Sequence, residues 1–283
     1  MKGYAHPETL VDTAWLEKRL GRPGLQVVEV DVDTRAFDEG HVPGAVGWNW
    51  RTQLCDPVQR DIVPRADLEK LLSESGIGLE TTVVLYGDNN NWFACWAFWQ
   101  LKIYGHRDVR VLDGGRRKWL AEGRPLTTEP TVVTATGYLA AEPDMSLRAF
   151  LPQVRERHLS PDWALVDVRS PDEYTGAVLS PPGLPETCQR GGHIPAARSI
   201  PWGRNCAEDG TFLAADDLRR MYEAAGVGPD KGVISYCRIG ERSSLSWFVL
   251  KYLLGYPTVL NYDGSWTEWG NLVSAPVARG EQP

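Results

Sequence analysis

The sequence predicts an α/β protein built from two tandem copies of one domain, each a mainly parallel β-sheet with helices on both faces. Three observations predict it. The chain has 283 residues, and domains run to roughly 150 residues each. Short β-branched runs alternate with helix-like segments, the signature of parallel sheets. Residues 83–119 align without a gap to residues 233–269, pairing Tyr86 with Tyr236, Phe98 with Phe248, Gly105 with Gly255, Asp113-Gly114 with Asp263-Gly264, and Trp119 with Trp269. A repeat of this kind settles the architecture before any motif is considered.

The elements follow in order. In the first copy the buried-strand runs are Val27–Val30, Val83–Tyr86 and Val109–Leu112, with helices over Ala66–Ser73 and Trp92–Tyr104. In the second they are Leu165–Val168, Val233–Tyr236 and Val259–Tyr262, with helices over Leu218–Ala225 and Ser244–Leu254. Upstream, Val28-Glu29-Val30 parallels Val166-Asp167-Val168, and Gly40-His41-Val42-Pro43 parallels Gly192-His193-Ile194-Pro195. The second copy carries a longer loop, about residues 175–191, containing Pro181, Pro182, Gly183, Pro185, Gly191 and Gly192. Residues 123–145, rich in Thr, Pro and Ala, read as a linker between domains 1–122 and 146–283. In open parallel sheets ligands bind beyond the carboxyl ends of the strands, so the site is expected there.

Composition bounds the function. The chain is 42% apolar and 24% charged, enough for a sizeable core and too apolar for disorder. A net charge of −7 and a pI near 5.3 argue against nucleic-acid binding, which needs a basic surface. The longest apolar run, Trp92 to Trp99, is far too short to span a membrane, and MKGYAHPETL lacks the apolar stretch of a secretory signal. Five scattered cysteines (Cys55, Cys95, Cys188, Cys206 and Cys237) make no disulfide framework and fit a reducing, cytoplasmic setting.

One cysteine stands where chemistry would be placed. Cys237 ends the strand Val233–Tyr236 and opens the turn Arg238-Ile239-Gly240-Glu241-Arg242-Ser243 before the next helix. Such a turn aims backbone N–H groups into one concavity, and a helix N-terminus adds partial positive charge. Gly240 permits the tight backbone. Arg238 and Arg242 should favour ionisation of the thiol, giving a candidate thiolate nucleophile inside an anion cradle. The bland alternative, a small buried hydrophobe at a strand end, leaves two arginines within five residues unexplained.

Tyr-Cys-Arg-Ile-Gly-Glu-Arg-Ser at 236–243 resembles the active-site loop of rhodaneses, the thiosulfate sulfurtransferases. Gly192-His193-Ile194-Pro195 is similar to that family's N-terminal signature, and Asp263-Gly264-Ser265-Trp266 to its C-terminal one. The resemblance covers essentially the whole chain and is close to the actinobacterial-type enzymes. It implies two rhodanese-like domains of which only the second is catalytic. Gly87 stands in the place of Cys237, and Asp88-Asn89-Asn90-Asn91 replaces the arginine-bearing turn. The first domain is therefore expected to be silent, covering one side of the second domain's site. Cys95, mid-helix among Trp92, Trp96 and Trp99, reads as a core thiol.

The resemblance also implies a mechanism. Cys237 attacks the outer sulfur of thiosulfate, expels sulfite and keeps a persulfide, which cyanide or a cellular thiol, small or protein-borne, then discharges. The substrate contacts implied are the turn itself (Arg238, Ile239, Gly240, Glu241, Arg242 and Ser243), together with Arg169 and Trp266. No metal or organic cofactor is expected, since Cys188 and His193 lack the further ligands a metal would need. Arg169 follows a buried strand in Asp167-Val168-Arg169, and either reaches the pocket or pairs with a carboxylate such as Asp167. Where mammalian-type enzymes carry a further substrate-binding arginine, this chain has Glu173, which puts that contact in doubt. His41 and His193 occur in both copies, so they read as turn and packing residues, and the Asp-Gly pairs as turns. Trp266 has Arg116 as its counterpart, and is a candidate for keeping water from the persulfide.

Other chemistries are weighed on the same residues. In cysteine phosphatases the arginine stands one position beyond Arg242; Ser243 occupies that place, and the shorter turn suits attack on a lone sulfur. Within sulfurtransferases, 3-mercaptopyruvate is the rival donor, and a non-catalytic sulfur carrier the rival class. Arg238 and Arg242, offset by Glu241, leave the turn a net side-chain charge of +1, which favours the more highly charged thiosulfate. The functions of Cys55, Cys188 and Cys206 are open.

Overall fold

The computed structural model describes residues 2–181, 183 and 188–283, so Pro182 and Pro185 of the long loop lie outside the described residues. The chain divides into two compact units: residues 7–144 with 206–212, and residues up to 6 with 145–205 and 213–283.

In the first unit the strands are β1 (Leu10–Val11), β2 (Leu25–Asp31), β3 (Ala45–Asn49), the short pair β4 (Cys55–Asp56) and β5 (Asp61–Ile62), β6 (Thr82–Tyr86) and β7 (Val109–Leu112). Five of them form one sheet in the order β1-β7-β6-β2-β3, parallel at every junction; β4 and β5 pair antiparallel beside it. The second unit has β8 (Trp163–Asp167), β9 (Arg198–Ser199), β10 (Gly232–Tyr236) and β11 (Val259–Tyr262), in the parallel order β11-β10-β8-β9. Val27, Val84 and Tyr86 of the first sheet are buried, as are Leu165, Ile234 and Tyr262 of the second. Strands covered on both faces need this apolar, β-branched composition.

The duplication extends to side-chain bonds. Tyr86 Oη accepts from the Val42 N–H at 3.0 Å, and Tyr236 Oη from the Ile194 N–H at 3.1 Å. The indole of Trp119 donates to the Pro125 carbonyl, and that of Trp269 to the Pro276 carbonyl. His41 stacks on Phe37 and its Nδ1 faces the Phe37 carbonyl; His193 stacks on Tyr174 and faces its carbonyl likewise. Both histidines thus close the same turn.

Three departures from the sequence-based expectation have local causes. Strands β1, β3 and β9 lack a distinctive apolar run: β1 and β9 are only two residues long, and β3 carries Gly47 and Asn49 among its five. The helix expected to start at Ser244 starts at Glu241 and runs to Phe248, immediately after Gly240. The stretch expected as a linker is bonded along the first unit: Thr131 Oγ1 donates to the Ala45 carbonyl, the Thr136 N–H to the Ser73 carbonyl, and the Ala141 N–H to the Tyr104 carbonyl.

Two short segments depart from chain order. In the second unit, the Ala5 and His6 N–H groups donate to the carbonyls of Leu253 and Tyr252, in the π-helical turn Val249–Leu253 that ends the helix. Carbonyls at a helix end lack intrahelical donors, and the N-terminal segment supplies them. In the first unit, the hairpin 206–212 is tied by the Phe212 N–H to Asp113 Oδ1 at 2.8 Å.

Candidate active site

The register of the second sheet sets the site. Asp167 of β8 lies beside Tyr236 of β10, so the residues that follow, Arg169 and Cys237, leave the same carboxyl edge. Gly240 then adopts φ 104°, a conformation that favours glycine, and the chain enters the helix at once. Arg242 and Ser243 therefore stand in the helix's first turn. The Gly240 N–H donates to Cys237 Sγ at 3.2 Å, and the thiol donates to Glu241 Oε2 at 3.4 Å.

Hydrogen bonds from the elements around it anchor this turn. The Cys237 N–H donates to Ser265 Oγ at 3.1 Å, and Ser265, at φ 54°, donates its hydroxyl to the Tyr262 carbonyl. The Cys237 carbonyl accepts from the Trp266 N–H at 3.1 Å, and the Arg238 carbonyl from the Thr267 N–H at 3.0 Å. Asn261 donates from Nδ2 to the Gly240 carbonyl at 3.1 Å and lies 2.6 Å from Ser243 Oγ. Asn261 lies outside the sequence motifs, and Ser265, within Asp263-Gly264-Ser265-Trp266, carried no assigned role there. Their signal was present as differences between the copies, since Gly115 and Val111 stand in their places.

The electrostatics differ from expectation. Cys237 exposes 0% of its surface, and burial, then the Glu241 carboxylate, pushes its thiol up; Arg242 and the N–H groups of Ser243 and Gly240 pull the other way. The expected easy ionisation is thus reversed at rest, because desolvation penalises the thiolate more than the cradle rewards it. Arg242 is neutralised as well: its Nη1 and Nη2 donate to the two carboxylate oxygens of Glu173 at 2.9 and 3.0 Å. Arg238 Nη2 lies 3.9 Å from Glu241 Oε1.

Arg169 and Trp266 are committed to each other and to structure. Arg169 is 1% exposed, donates from Nε and Nη2 to Asp167 and from Nη2 to the Gly192 carbonyl, and lies 4.6 Å from the Trp266 ring. The Trp266 indole donates to the Arg190 carbonyl. Of the two expectations for Arg169, the observed geometry is the ion pair with Asp167. Trp266 covers that pair instead of lining an open pocket, because its ring is sealed at 1% exposure. Ile239 is the one half-buried residue of the turn; its neighbours from Cys237 to Ser243 are buried.

The rhodanese-like domain model matches residues 12–122 and again 151–272. The chain belongs to the rhodanese family. Relatives agree along its whole length. It is 52% identical over 99% of this chain and 100% of the other to sulfur carrier protein TtuD of Thermus thermophilus. It is 52% identical over 97% of this chain and 98% of the other to a protein provisionally named thiosulfate sulfurtransferase in Saccharopolyspora erythraea. Among solved structures, the anaerobic ergothioneine biosynthesis enzyme of Chlorobium limicola superposes with a TM-score of 0.87 at 26% identity, covering 98% of this chain and 71% of the other. A variant of the enzyme EanB bearing a cysteine persulfide superposes with a TM-score of 0.85 at 26% identity, covering 98% of this chain and 72% of the other.

In the first rhodanese domain Gly87 stands where the second has Cys237. A Cβ on Gly87 would stand 2.5 Å from the Val30 carbonyl oxygen. Asn91, at φ 67° and fully buried, fills the turn from inside: its Oδ1 accepts from the Gly87 N–H at 3.0 Å and its Nδ2 donates to the Leu112 carbonyl at 2.7 Å. Asn89, Asn90 and Asn91 all have positive φ, a run that asparagine tolerates better than most residues. Cys95 is buried in the core, where desolvation pushes its thiol well up. Among the described residues no cluster of three or more His, Cys, Asp or Glu could hold a metal, and no helix is long and apolar enough to cross a membrane.

Proposed function

We propose that this rhodanese transfers the sulfane sulfur of thiosulfate through a Cys237 persulfide to a thiophilic acceptor, releasing sulfite. The observation that carries the reading is the Cys237 sulfur seated at the start of the Glu241–Phe248 helix, accepting the Gly240 N–H, with Arg238 and Arg242 in the same turn. In the first step the Cys237 thiol passes its proton to the Glu241 carboxylate that accepts its hydrogen bond, the thiolate sulfur bonds to the outer sulfur of thiosulfate, and the S–S bond of the donor breaks with its electron pair leaving on sulfite. The Gly240 N–H beside the sulfur and the start of the helix oppose the charge that develops on persulfide and leaving group. Full burial of Cys237 keeps bulk water from the persulfide. In the second step cyanide or a thiolate attacks the outer persulfide sulfur and restores the Cys237 thiolate.

The names of relatives support both a thiosulfate donor and a second reading, in which the chain serves as a sulfur carrier. The test is thiocyanate formation from thiosulfate and cyanide, with 3-mercaptopyruvate as the alternative donor and Cys237→Ser beside the wild type. Turnover with thiosulfate that the serine variant loses is the expected result. Activity surviving in Cys237→Ser would overturn the mechanism. Persulfide formation without turnover would replace it with the carrier reading.

A further inference from the structure

The Cys237 turn holds a second carboxylate that belongs to a different element. Glu173 stands in the short helix Pro171–Thr175, where it caps Ser170 reciprocally: its Oε2 lies 3.1 Å from both the Ser170 nitrogen and Oγ. The same side chain, 1% exposed, grips both terminal nitrogens of Arg242, itself 6% exposed. A bidentate pair of this kind fixes the guanidinium plane and cancels its charge in a desolvated place. The thiol contributes to the electrostatic surroundings of Arg242, so the cancelled charge is one that acts on the reacting sulfur. Arg238 and Arg242 are thus matched by Glu241 and Glu173, and the four side chains sum to zero where the turn alone carries +1.

We propose that Glu173 is a specificity-determining residue: by cancelling Arg242 beside Cys237 it removes the site's preference for a doubly charged sulfur donor and opens it to singly charged ones. The inference rests on the sulfurtransferase reading above, and it concerns donor class. A site with net positive charge attracts a dianion about twice as strongly as a monoanion; an uncharged one discriminates by shape and hydrogen bonds alone. Candidate monoanions are alkyl persulfides and 3-mercapto-2-oxo acids, both of which present a transferable sulfur beside one negative charge.

The test compares Glu173→Gln, which removes the charge at nearly constant volume, with Glu173→Asp, which keeps it. For each, kcat/KM is measured with thiosulfate and with 3-mercaptopyruvate. The thiosulfate-to-mercaptopyruvate ratio is expected to rise by on the order of tenfold in Glu173→Gln, through a lower KM for thiosulfate, and to stay within about twofold in Glu173→Asp. Equal losses with both donors, which a purely structural role would produce, would overturn the proposal, as would an unchanged ratio. A measurement on the wild type needs no variant to fold: a steep fall in thiosulfate kcat/KM with added salt would report a net positive site and refute the cancellation. A binding arm separates this inference from the function it rests on. Thiosulfate and thiocyanate are titrated calorimetrically into Cys237→Ser with and without Glu173→Gln. If the wild type turns over neither donor, the sulfurtransferase reading fails, yet selective tightening of thiosulfate binding still upholds the role of Glu173, and its absence overturns it.

Discussion

Replacing Gly87 by cysteine should not create a second active site, although it restores the nucleophile to the first domain. The reason is steric. A Cβ at that position would lie 2.5 Å from the Val30 carbonyl oxygen and 3.1 Å from Asp31 Oδ1. Val30 belongs to β2, which is bonded on one side to β3 and on the other to β6, so the strand cannot give way cheaply. Overpacking of this kind costs about 1–3 kcal/mol. Moving residue 87 away from Val30 also loosens the bond from its N–H to Asn91 Oδ1, which adds about 1 kcal/mol. A total of about 2–4 kcal/mol corresponds to a drop of roughly 5–15 °C in the melting transition of a domain of this size. The assay is calorimetry of Gly87→Cys and Gly87→Ala beside the wild type, followed by intact-mass analysis after incubation with thiosulfate. Both variants should melt lower, and only Cys237 should gain sulfur. A persulfide on the introduced thiol, with the melting temperature unchanged, would refute the steric reasoning and make the first domain a site lacking only its cysteine.

Further expectations concern charge and anchoring. Glu241→Gln should speed alkylation of Cys237 by iodoacetamide at neutral pH, because the carboxylate that helps push the thiol up is gone; a slower reaction would mean that Glu241 promotes ionisation. Asp31, pushed up to about 8 by burial and by Glu29 and Asp88, holds its proton in the folded state long after the unfolded chain has lost it. Its contribution to stability is therefore complete below about pH 4 and lost as pH rises through about 8. Asp31→Asn should raise the melting temperature at pH 8 and leave it unchanged at pH 4, and an equal effect at both would contradict the assignment. Deleting residues 2–6 removes the N–H donors to Tyr252 and Leu253, the Lys2 carbonyl that the Ala215 N–H uses, and the Tyr4 hydroxyl bond to the Leu213 carbonyl. At about 1 kcal/mol per bond, the second unit should unfold at lower urea, and an unchanged midpoint would show the segment to be passive.

Much of this protein is legible without its structure because the relevant signals are local. The apolar runs at Val83–Tyr86, Val109–Leu112, Val233–Tyr236 and Val259–Tyr262 are strands because buried parallel strands require that composition, and the two copies corroborate each other. Cys237 stands out because a strand, a glycine turn and a helix follow one another within a few residues. What the sequence leaves open is which distant groups the fold brings to that turn. Glu173, Asn261, Ser265 and Asp167 come from separate elements, and only the parallel register that sets Asp167 beside Tyr236 brings them to one edge. The side of Arg169 that faces Trp266, the clasp of Glu173 on Arg242, and the four main-chain carbonyls that Arg190 gathers from Trp269, Gly270, Leu272 and Ala275 have no counterpart in local pattern. The same holds for the thiol's resting protonation. Neighbouring arginines argue for a thiolate, yet burial and Glu241 outweigh them, because desolvation is a property of everything packed around a group and not of the residues beside it in the chain.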